Sequence, residues 1–145
     1  MIPPFDERGN LPPGIHKANW DELETRLGGT PWRRSLLIGL REALECLQAA
    51  GCRTAYVDGS FASSKEAPND FDACWEPDGV DFNALNPALL DFFGDPFTQK
   101  RRFRGELFPA DMRAEPAGLS VLDFFQRDRA SRPKGIIEID LEAGL

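Results

Sequence analysis

The sequence has no apolar run near the roughly 20 residues that a membrane-spanning helix requires. Its opening, MIPPFDERGN, has two prolines and two acids where a secretory signal needs a basic stretch and then an apolar one. Cysteine is scarce and odd in number: Cys46, Cys52 and Cys74 contain no CxxC pair. A disulfide-stapled scaffold is therefore excluded, and the cysteines read as reduced thiols of a cytoplasmic protein. A single histidine, His16, lies in a Pro-rich stretch with no Cys, Asp or Glu at ligand spacing, and reads as structural. Positive charge is also short. Seventeen Lys and Arg against 24 Asp and Glu leave a net charge of −7, which argues against general DNA or RNA coating by phosphate neutralisation. The chain shows no internal repeat and no low-complexity segment.

What remains is ordinary globular material. Hydrophobic residues make up 41% and charged residues 28% of 145 positions, a length at which a chain buries roughly 70% of its unfolded surface without disulfides or metal. Residues 1–19, rich in Pro and Gly, read as an extended N-terminal arm, with Ile2, Phe5, Leu11 and Ile15 available for docking on a domain formed by 20–145. Asn19 and Glu22 form a capping box for a short helix to Leu27. Thr30-Pro31 opens the longest helix, about 31–50, with Leu36, Leu40, Leu44 and Leu47 along one stripe. Cys46 is placed with its core. Strands are expected at 54–58, 71–75, around 106–108 and in the closing GIIEIDL; helices at 83–94 (Leu85, Leu89, Leu90, Phe93) and about 119–128. The pairs Phe92-Phe93 and Phe124-Phe125 read as core. This alternation predicts a single α/β (α+β) domain, a mixed sheet flanked by helices, with the 54–58 and 71–75 strands adjacent.

The chemistry concentrates in YVDGSFASSKEAPNDFDACW, residues 56–75. Asp70 and Asp72, two apart on a strand, present two carboxylates to one face. Like charges held that close call for a cation between them. Hard oxygen donors suit Mg2+, which takes one or two protein carboxylates plus phosphate oxygens. Gly59 lets backbone approach a phosphate, and Ser60 adds a hydroxyl. A plainer alternative makes Gly59-Ser60 one turn and Asp70 the cap of another. Asp72 fits that alternative poorly, because it lies inside a strand between apolar neighbours.

The Gly59-Ser60 pair, nine intervening residues and Asp70-Phe71-Asp72 together resemble the signature of the nucleotidyltransferase fold. The nearest likeness is to the minimal nucleotidyltransferases of bacteria and archaea, many of them parts of toxin–antitoxin modules. The opening MIPPFDERGNLPPGIH looks like that of a group of small bacterial proteins often found with mobile elements. The resemblance implies that Gly59 and Ser60 hold nucleotide phosphates, that Asp70 and Asp72 hold magnesium, and that a later strand supplies a third carboxylate. Asp111 is placed first for that role, with Glu106 and Asp140 as alternatives. Lys65 could reach a triphosphate, and the cluster Lys100, Arg101, Arg102 and Arg104 could hold its tail or an acidic acceptor; both also read as solvated surface. The expected activity is magnesium-dependent transfer of a nucleoside monophosphate from an NTP to an acceptor hydroxyl on a partner protein, an RNA end or a small molecule. The alternative is a catalytically inactive binding module of the same fold, such as one half of a toxin–antitoxin pair.

Overall fold

In the computed structural model, residues 1–92, 94–95, 97–114 and 118–145 are described. The N-terminal stretch docks through Ile2 and Leu11, both buried, and then contributes β1 (Ile15–Ala18). Asn19 caps α1 (Trp20–Leu27) by accepting from the Glu22 amide at 2.9 Å. Thr30 caps α2 (Pro31–Ala49) in the same way, accepting from Arg33 N at 3.1 Å. Leu36, Leu40, Leu44 and Leu47 are each 0% exposed, as their spacing requires. Gly51, at φ 97°, turns the chain out of α2.

There follow β2 (Thr54–Asp58), β3 (Phe71–Trp75), α3 (Thr98–Phe103), β4 (Gly105–Pro109), the two-residue strands β5 (Arg113–Ala114) and β6 (Leu119–Ser120), α4 (Val121–Phe125) and β7 (Ile136–Asp140). The main sheet has the order β1-β7-β2-β3-β4, with β2 antiparallel to both neighbours and β3 parallel to β4. The 54–58 and 71–75 strands are thus adjacent, as expected, in a mixed α/β domain. No helix among the described residues is long and apolar enough to cross a membrane.

The strand period of two sorts the sheet into two faces. Ala55, Val57, Ala73, Leu107, Ile137 and Ile139 join the large core with α1 and α2. Tyr56, Cys74 and Ile136 face the other way, into a smaller cluster with Ala110 and Val121 that Phe108, Leu122 and Phe125 flank. The end of this second face near Asp58 and Asp72 carries carboxylates in place of apolar side chains, and Glu138 adds another opposite Tyr56.

Several expectations need correction. Residues 83–94 are not a helix: short 3-10 turns cover Phe82–Ala84 and Pro87–Leu90. Pro87 supplies no amide to a helix and disfavours helical backbone at Asn86. The Asp81 and Asn86 side chains capture the amides of Asn83 and Ala88, favouring local turns. Leu85 and Leu89 are still buried, but Leu90 is not, and Phe93 lies outside the described residues. The 119–128 helix shrinks to Val121–Phe125, because Leu119–Ser120 pair with Arg113–Ala114. Phe124 is exposed rather than core. Cys46, half-buried, packs against the large core as expected, and Cys52 and Cys74 are buried.

Gly39 lets α2 and α3 touch: a Cβ there would overlap the Phe103 carbonyl. Gly39→Ala should therefore destabilise the protein by roughly 1–3 kcal/mol, despite alanine's higher helix propensity. A lower urea midpoint checks this, and an unchanged or higher one refutes the contact.

Candidate functional site

β2 and β3 pair Asp58 with Asp72, and β3 and β4 pair Asp72 with Glu106. The three acids form one row across adjacent strands, on the face opposite α1 and α2. Asp70, just before β3, adds a fourth carboxylate. Lys100 of α3 bridges the outer pair, its Nζ 3.1 Å from both Asp70 Oδ2 and Glu106 Oε1. These bonds raise the Lys100 pKa and keep its ammonium charged.

The helix that carries Lys100 is fixed from beneath. Gln99, buried, accepts from the Leu107 amide at 2.8 Å and ties α3 to β4. Arg104 ends the helix in the left-handed region at φ 69°, and its carbonyl accepts from Phe71 N.

Gly59 holds φ 70°, a region that favours glycine, and a Cβ there would overlap the Asp72 carboxylate. The glycine predicted to admit a phosphate therefore packs against the acid row. Ser60 opens a short 3-10 turn, Ser60–Ala62. The loop beyond is held by Arg33, which lies 6% exposed in α2. Its guanidinium donates to the carbonyls of Leu27 (3.2 Å), Phe61 (2.8 Å), Ser63 (2.7 Å) and Lys65 (2.6 Å). The Lys65 backbone is thus anchored while the residue is exposed.

Charge accumulates in the row. Burial, then the neighbouring Asp70 and Glu106, push the Asp72 pKa up to about 7, against the opposing pull of Lys100 and Lys134. Burial pushes Asp58 well above the usual carboxylate range, and Asp72 adds to it. Neither Asp58 oxygen has a hydrogen-bond partner among the described residues.

Of the predicted site residues, Gly59, Asp70, Asp72 and Glu106 come together. Asp111 does not: it is exposed, beyond the end of β4 and five residues past Glu106. Asp140 stands opposite Thr54, at the other end of β2 from Asp58, and caps the turn at Glu142. The basic cluster is largely neutralised. Arg101 pairs with Asp95, and Arg102 with Glu42 at 2.7 Å. Arg104 has no ion pair among the described residues; with Trp32, Asn69, Asp70 and Lys100 it lines an open cleft beside the acids. His16 bonds the Pro12 carbonyl at 2.6 Å, a structural role.

A family model matches residues 3–140. The chain belongs to the family of unknown function DUF6932. No curated protein and no solved structure matches it. The match spans every strand of the main sheet, including β1 and the whole acid row.

Asp58 and Arg33 were missed by the sequence reading. Asp58 ends an apolar strand next to Gly59, and only the register reveals it as the neighbour of Asp72. Arg33 looks like any helix arginine until its four carbonyl partners are seen.

The donor set fits a hard divalent cation. It offers carboxylate oxygens alone, and two of them, on Asp58, are buried without a partner. Among the described residues no three such side chains converge on one point as they stand; Lys100 Nζ lies between Asp70 and Glu106.

Proposed function

We propose that the protein is a magnesium-dependent enzyme of nucleotidyltransferase type, moving a nucleoside monophosphate from an NTP to an acceptor hydroxyl. The observation that carries this reading is the row of carboxylates on three adjacent strands, at the end of the sheet where the Gly59-Ser60 turn leaves β2. Asp70, Asp72 and Glu106 would hold a cation, which would supply positive charge to balance the phosphate oxygens. Gly59 keeps the chain low against Asp72, so that phosphates can approach the row, and Ser60 offers them a hydroxyl. Glu106 takes the place expected of a third carboxylate, and Asp111 has no role. In the transfer, the acceptor oxygen bonds to the α-phosphorus while the bond to the bridging oxygen breaks. Pyrophosphate leaves with that electron pair, and the hydroxyl proton passes to solvent. Chiefly this asks the protein to position charge and reactants in line. A protein partner, an RNA end or a small molecule could supply the hydroxyl. Three free thiols, two of them buried, are consistent with a reducing, cytoplasmic setting.

The second reading is a binding module without turnover, and the Lys100 bridge favours it, because an internal ammonium already balances Asp70 and Glu106. Incubation with α-labelled NTPs, Mg2+ and cell lysate separates the two. Transfer of label that disappears in the double variant Asp70→Asn, Asp72→Asn supports the enzyme. Mg2+ binding without transfer for any of the four NTPs supports the module.

A further inference from the structure

Asp58 is a carboxylate at 0% exposure with both oxygens unpaired. An ionised group in that position is costly by several kcal/mol, and nothing in strand geometry requires it, since a valine would end β2 as well. Across the sheet its partner on β3 is Asp72, and the pairing of β2 with β7 ends one residue earlier, at Val57 with Ile137. The described cation whose charge opposes its burial is Lys134, from the segment leading into β7. Lys134 also lines a cleft with Arg127, Gln126 and Gly14, and forms no ion pair among the described residues. Lys100 serves the other side of the row and is committed to Asp70 and Glu106. The row therefore has an outer half, balanced by an ammonium, and an inner half, Asp58 with Asp72, that is balanced by no contact.

We infer that Asp58 is a further ligand of the site, and that Asp58 and Asp72 together form an inner position for a divalent cation, distinct from the outer pair, Asp70 and Glu106, that Lys100 bridges. The inference rests on reading the row as a cation site, and not on nucleotidyl transfer. Gly59 is part of the device: a side chain there would displace the Asp72 carboxylate from its place beside Asp58. Hard, small cations with oxygen preference fit this pair, Mg2+ and Mn2+ foremost.

The test titrates the chelator-treated full chain with MnCl2, reading free Mn2+ by electron paramagnetic resonance, and measures denaturation midpoints with and without Mg2+. Asp58→Asn is isosteric and removes the buried carboxyl group; Asp58→Ser, a smaller side chain, is the second variant if the amide disturbs the fold. The expected result has two opposite signs. Without cation the variant is more stable than the wild type, and with cation its Mn2+ affinity falls on the order of tenfold or more, with one fewer bound equivalent. A merely structural Asp58 would alter stability equally with and without cation. If the wild type binds Mn2+ and both Asp58 variants bind it equally well, the inner position is overturned while the cation site stands. If the wild type binds no Mn2+ at millimolar concentration, the cation site and the inner position both fall.

Discussion

Replacing Arg33 by alanine should lower the unfolding free energy by roughly 3–5 kcal/mol, a large effect for a residue that touches no acid of the row. The guanidinium serves carbonyls from three places at once: Leu27 at the end of α1, Phe61 in the turn after Ser60, and Ser63 and Lys65 in the loop beyond. Without it those oxygens, several of them shielded from water, lose a charged donor and gain nothing in return. The loss is also local. Arg33 sits over the Phe61 ring at 5.2 Å, so the variant opens a space beside a fully buried aromatic. Arg33→Lys should recover only a minor part of the stability, because an ammonium cannot reproduce the planar fork that meets Phe61, Ser63 and Lys65 together. Chemical denaturation measures the loss. Limited proteolysis should show new cleavage within 60–66 before the whole chain unfolds. Equal midpoints for wild type and Arg33→Ala would show that the loop holds itself.

Local signals in the sequence were followed wherever one element's own residues decide its fate. The Asn19 and Thr30 caps, the leucine stripe of α2 and the strands at 54–58 and 71–75 are of this kind. Apolar spacing misled where side chains compete with the backbone for its amides, as Asp81 and Asn86 do around the predicted 83–94 helix. The partnership of Asp70 and Asp72 is written in the local spacing, two residues apart across Phe71. Their third companion is not, because Glu106 becomes a neighbour only through the parallel pairing of β4 on β3, which no local pattern encodes. Asp111 lies in the same stretch of chain and is misplaced by five residues, the length of β4 itself. Asp58 illustrates the same limit from the other side. Its charge looks like a strand end in the sequence, and its isolation exists only once β3 covers it.

The cation-free protein should become less stable as pH rises through the range in which most proteins are steady. Asp72 has a folded pKa of about 7, raised from 3.8 by burial and then by Asp70 and Glu106. Below about pH 4 it is protonated both folded and unfolded, and it contributes no pH dependence. Between about 4 and 7 the folded state keeps the proton that the unfolded state releases, so unfolding releases protons and stability falls with rising pH. Above 7 both states are ionised and the penalty is complete. Three units correspond to about 4 kcal/mol at 1.36 kcal/mol per unit, an order-of-magnitude figure for a half-buried group. Asp58 acts in the same direction, since burial raises it too. Asp95 and Asp128, held low by hydrogen bonds to Phe97 and Arg132, oppose the trend only in the acid range. Urea midpoints in chelator should therefore be higher at pH 5 than at pH 8. Asp72→Asn should flatten much of that difference and raise the pH 8 midpoint, because the amide keeps the shape without the charge. Saturating Mg2+ should do the same for the wild type at pH 8 and little for Asp72→Asn. A wild-type midpoint that is independent of pH from 5 to 8 in chelator would mean that the row is not electrostatically strained, and that Asp72 needs no cation.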